Sequence, residues 1–91
     1  MTTKQLLIGS LSNDLYRVAN LLQRGSQKGA LRFFEESKRW TTELQSHKVK
    51  PYIRKIIDDV INDTQDSIQA EPAAEKYLLY SILLQNYSKH I

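Results

Sequence analysis

Leu7, Leu11, Leu15, Val18 and Leu22 recur at the three-and-four spacing of one α-helical face. Ile8 and Ala19 widen the stripe, while Asn13, Asp14, Arg17 and Asn20 fall on the polar side. This pattern predicts a first helix over roughly 3–24. Gly25 supplies the left-handed stop that ends many helices, and Ser26 is placed to accept from the free amides of the helix that follows. The second helix, over about 27–46, turns Ala30, Phe33, Phe34, Ser37, Trp40, Thr41 and Leu44 inward. Its small central residues leave room for a neighbouring helix to approach closely.

Pro51 suits the first turn of a helix, where its missing N–H would be unpaired in any case. Ile53, Ile57, Val60, Ile61, Thr64 and Ile68, with Ile56 at the edge, then carry the 3.6-residue period onward, so a third helix is expected over 51–69. A strand is disfavoured because alternation fails at Ile56-Ile57 and again at Asp58-Asp59. Pro72 opens a fourth helix over 72–89 by the same rule. Four such helices with short connections most simply make one all-α domain over 1–91, an antiparallel four-helix bundle running up-down-up-down. Exchange of a helix between two copies is the alternative topology.

The fourth helix is apolar on more than one face: between Lys76 and Gln85 only Ser81 is neither aliphatic nor aromatic. Tyr77, Tyr80, Leu83, Leu84 and Tyr87 form one stripe, expected in the core with hydroxyls reaching the rim. Leu78 and Ile82 lie on a different flank, with Leu79 between the two faces. A bundle member needs one stripe, so Leu78, Leu79 and Ile82 stand as a candidate interface. Off-stripe Leu6, Tyr16, Leu21 and Leu31 add apolar surface that a lone bundle would leave wet. A homodimer burying the fourth helix, and action through protein–protein contact, are therefore expected.

The chain has 91 residues with only three Gly and two Pro, which favours long regular elements. It has no cysteine, which excludes disulfides, thiolate zinc sites and a cysteine nucleophile and fits a reducing cytoplasm. The partly apolar stretch from Leu6 to Ser10 is too short for a signal-peptide core. Tyr77 to Leu84, the longest apolar run, falls far below the ~20 residues of a spanning helix. Neither secretion nor a membrane span is expected.

The net charge of +3 hides an internal asymmetry. Arg24 to Lys55 carries nine bases against Glu35, Glu36 and Glu43, whereas Ile56 to Glu75 carries six acids and no base. The third helix thus starts basic and ends acidic, opposite to what its dipole favours, and another interaction must offset that cost. In a folded bundle Arg24, Lys28 and Arg32 would meet Asp63, Asp66, Glu71 and Glu75 at one end and largely cancel. The other end would gather Lys4, His47, Lys48, Lys50, Arg54, Lys55, Lys89 and His90 as a positive pole. Lys48, Lys50, Arg54 and Lys55 are accordingly candidate anion-binding residues for nucleic acid or another polyanion. Surface ion pairing at i, i+4 competes with that reading, through Arg54 with Asp58, Lys55 with Asp59 and Glu35 with Arg39.

No motif for catalysis emerges. Asp59, Asp63 and Asp66 would share one flank of a continuous third helix and could present oxygen ligands to a divalent cation. "NDTQDS" lacks the Gly and closing Glu of a calcium loop, and Glu43 to His47 has one residue too many for a di-iron pair. His47 and His90 sit near helix ends, where a general base lacks a held geometry. The expectation is a binding protein without cofactor or metal.

Overall fold

The computed structural model describes residues 2–70 and 72–91, and all their regular structure is helical. α1 spans Thr3–Gln23, α2 Gln27–Leu44, α3 Pro51–Asn62 and α4 Ala73–Ser88; a single 3₁₀ turn, Ser67–Gln69, lies between the last two. No helix among the described residues is long and apolar enough to cross a membrane.

Local chemistry explains most of the helix ends. Thr2 and Gln5 close a capping box: Thr2 Oγ1 accepts from the Gln5 amide at 3.1 Å, and Gln5 Oε1 accepts from the Thr2 amide at 3.0 Å. At the other end of α1, Gly25 takes φ of 80°. Its amide reaches the Leu22 carbonyl and the Ser26 amide reaches Leu21, the paired bonds of a Schellman stop. Ser26 does not cap α2 as expected, since its side chain makes no capping hydrogen bond. Pro51 occupies the first turn of α3 as the sequence requires.

The expected third helix over 51–69 is shorter than its hydrophobic period. Asp63 adopts extended backbone (φ −69°, ψ 145°), and the chain re-forms one turn only at Ser67, whose Oγ accepts from the Thr64 amide at 2.9 Å. Lys38 of α2 explains the break. Its ammonium donates to the carbonyls of Val60, Ile61 and Asp63, taking acceptors that a continuing helix would use itself. Thr64 therefore lies exposed, whereas Ile68 still reaches the core from the 3₁₀ turn.

The core is built by Leu7, Ile8, Leu11, Leu15 and Val18 of α1, Ala30, Phe34 and Leu44 of α2, Ile53, Ile57 and Val60 of α3, and Tyr77, Leu84 and Tyr87 of α4. Several pairs join the start of a helix to the end of another or to the connection before it. Gln5 Nε2 donates to the Ser88 carbonyl at 3.1 Å, and Tyr52 packs edge-on against Tyr87 with ring centroids 6.2 Å apart. Between α2 and α3 the Arg54 guanidinium donates to the His47 carbonyl at 2.6 Å. Ser81, the polar residue inside the apolar run, is buried at the α1–α4 contact. Its carbonyl accepts from Ser12 Oγ at 2.7 Å, while its own Oγ donates to the Leu78 carbonyl.

Candidate functional site

Two of the three candidate interface residues face outward. Leu79 is 54% and Ile82 47% exposed, whereas Leu78 is half-buried and packed against the core. The second flank expected from Leu78 and Ile82 is thus split. The chain covers Leu78 itself, and the open face runs through Leu79 and Ile82. α4 turns Tyr77, Ser81, Leu84 and Tyr87 inward, so its apolar circumference has a covered side and an open one. Leu6, exposed at 55%, shares a surface hollow along the α1–α4 seam with Asn13, Ser88 and Lys89. Tyr16 is exposed as expected, while Leu21 and Leu31 are partly covered.

The basic candidates do not act as one set. Lys48, Lys50 and Lys55 are exposed and, among the described residues, none has a carboxylate within 4 Å. Arg54 is turned inward, and its Nη2 donates to the Leu44 and His47 carbonyls at the end of α2. The expected Arg54–Asp58, Lys55–Asp59 and Glu35–Arg39 pairs do not form within that distance. Lys4 also serves a structural role, donating to the Lys48 carbonyl at 3.0 Å.

The acidic residues are organised by a base that the charge layout did not single out. Lys76 Nζ lies 3.1 Å from Asp59 Oδ2 and 2.9 Å from Asp63 Oδ2. Tyr80 donates its hydroxyl to Asp59 at 2.7 Å, and Tyr77 donates to Asp63. Burial works against charge on Asp59, yet the Tyr80 hydroxyl and Lys76 outweigh it and hold its carboxyl below the usual range. Burial and the facing Asp63 and Asp59 carboxylates push both tyrosine hydroxyls well above their ordinary value. Among the described residues no ion pair within 4 Å joins Arg24, Lys28 or Arg32 to Asp63, Asp66 or Glu75; Asp63 is held by Lys76, and Glu71 lies outside the described residues. The network does supply what the reversed dipole of α3 needed, since Lys38 and Lys76 both bring positive charge to its C-terminal end.

Because α3 ends at Asn62, Asp59, Asp63 and Asp66 do not share one helical flank, which corrects the premise of a carboxylate stripe. Among the described residues no group of three His, Cys, Asp or Glu side chains is placed to hold a metal ion.

One buried carboxylate escaped the periodicity. The hydrophobic period puts Asp14 on the polar side of α1, but it is 3% exposed and accepts from Trp40 Nε1 at 2.8 Å. Burial pushes its carboxyl up to about 6; Trp40 opposes the shift, the neighbouring Glu36 adds to it, and Arg17 opposes it further. No local signal reveals this, because the donor lies 26 residues away on another helix. No protein-family model, curated protein or solved structure matches this chain.

Proposed function

We propose that the chain is an up-down-up-down antiparallel four-helix bundle that works by binding protein, first of all a second copy of itself, through the outer face of α4. The pairs Gln5–Ser88 and Tyr52–Tyr87, each between the first turn of one helix and the last turn of another, support that topology. The observation that carries the functional reading is the exposure of Leu79 and Ile82, adjacent on a helix whose opposite side is core. Covering a half-exposed Leu or Ile contributes about 1 kcal/mol, so four such side chains in a dimer contribute roughly 4 kcal/mol. That only matches the lower bound, about 4 kcal/mol, of the association cost. The dimer is therefore weak, and other surfaces such as Leu6 must contribute. Sedimentation equilibrium up to millimolar protein tests it: mass should rise with concentration in the wild type and stay monomeric in Leu79→Asp with Ile82→Asp. A wild type that remains monomeric throughout sinks the reading.

A second reading rests on Lys48, Lys50 and Lys55, three exposed cations without a neighbouring carboxylate at one end of the bundle. They suit loose, salt-sensitive attraction to nucleic acid or another polyanion. Arg54 has no part in this reading, since it is turned inward and its Nη2 is held by the Leu44 and His47 carbonyls.

A further inference from the structure

Along the outer side of α4 stand Glu75, Leu79, Ile82, Asn86 and, at the C-cap, Lys89, and all five are exposed. Their spacing alternates four and three residues, the rhythm of a coiled-coil seam that keeps one stripe turned toward a partner helix. The stripe is graded in charge, with Glu75 in the first turn, the two apolar residues in the middle and Lys89 after the last turn. Neither Glu75 nor Lys89 has an ion-pair partner within 4 Å among the described residues.

From this gradient we infer that two copies lay α4 against α4 in opposite directions, about a two-fold axis near Leu79 and Ile82, with Glu75 of each copy facing Lys89 of the other. The inference rests on the self-association reading above and adds its partner geometry. A parallel pairing sets Glu75 against Glu75 and Lys89 against Lys89, and it aligns the two helix dipoles in the same sense. The antiparallel pairing turns each of those repulsions into attraction, twice over by symmetry, and closes at two copies. Leu6, beside Lys89 in the α1–α4 hollow, lies at the edge of the contact and extends its apolar area.

Charge exchange tests the pairing. Sedimentation equilibrium of the full chain at low salt compares the wild type with Glu75→Lys, Lys89→Glu and the double exchange, with circular dichroism verifying helicity. Each single reversal is expected to weaken dimerisation by about fivefold, because the altered pair occurs twice, and the double exchange to restore it. The absence of native cysteine makes Asn86→Cys a clean reporter of direction. Two such positions lie roughly 12–17 Å apart along an antiparallel pair, beyond disulfide reach, whereas in a parallel pair they are adjacent and crosslink on oxidation. A dimer indifferent to the charge reversals, or one that crosslinks through Asn86→Cys, overturns the antiparallel pairing and leaves self-association standing. A wild type that stays monomeric overturns both.

Discussion

Trp40 on α2 donates its indole N–H to the carboxylate of Asp14 on α1 at 2.8 Å, and the carboxylate is almost wholly out of water. The pair joins the two helices, yet it places a charge where charge is costly. Burial pushes the Asp14 carboxyl up to about 6 in the folded chain, above the ~4 of a free aspartate. Between those values the folded state holds more protons than the unfolded state, so the contribution of Asp14 to stability falls as pH rises from about 4 to about 6. A shift of this size corresponds to a loss on the order of 3 kcal/mol. Asp14→Asn keeps an acceptor for Trp40 and removes the titration. Its urea midpoint should gain on the wild type across that window, and parallel pH profiles would refute the assignment.

The tyrosine pair of α4 gives the alkaline counterpart. Tyr77 and Tyr80 donate to Asp63 and Asp59, so ionising either hydroxyl creates like-charge contact as well as a poorly solvated phenolate. With folded-state values raised above the unfolded one, their stabilising effect is complete below about pH 10 and is lost above it. Ultraviolet titration should show Tyr77 and Tyr80 of the five tyrosines ionising late, together with loss of helix. Tyr80→Phe should shrink the late phase. Asp63→Ala should cost about 2–3 kcal/mol in denaturant unfolding, because it strands the Tyr77 hydroxyl and removes one of the two partners of Lys76.

Two glycines should respond in opposite directions. A Cβ on Gly9 meets nothing within 4 Å, and the residue lies inside α1, so Gly9→Ala should stabilise by about 0.8 kcal/mol. At Gly25 there is equal room, but φ is 80°, a conformation that L side chains rarely adopt. Gly25→Ala should therefore destabilise by about 1 kcal/mol. Thermal unfolding of both variants checks the pair, and a shared sign would contradict it.

The starts of all four helices were legible because local devices and the hydrophobic period agree: Gly25 separates α1 from α2, and Pro51 and Pro72 lie within a residue of the starts of α3 and α4. The end of α3 was not legible, since Thr64 and Ile68 continue its period while a lysine 22 residues earlier captures its last carbonyls. The same blindness to distant partners hid Asp14 and assigned Arg54 to a surface patch. Leu78 differs in kind. Its neighbours on the wheel are as apolar as it is, and only the approach of other elements decides which of them is covered.

Arg54 is a structural cation. On α3 it reaches back to the Leu44 and His47 carbonyls at the end of α2, while Lys38 on α2 reaches the Val60 and Ile61 carbonyls at the end of α3, so each helix satisfies the other's C-terminus. Arg54→Ala should thus cost about 1–2 kcal/mol of stability, as a charged hydrogen bond to partly buried carbonyls is lost. Lys48→Glu with Lys50→Glu changes only exposed side chains and should leave the unfolding midpoint within about 0.5 kcal/mol. If the basic end binds polyanions, fluorescence anisotropy with labelled RNA at low salt should show binding that fades with added salt. That binding should vanish in the double lysine variant and persist in folded Arg54→Ala. Binding indifferent to Lys48 and Lys50, or none at low salt, removes the polyanion reading and leaves the proposed α4 surface to be decided by its own test.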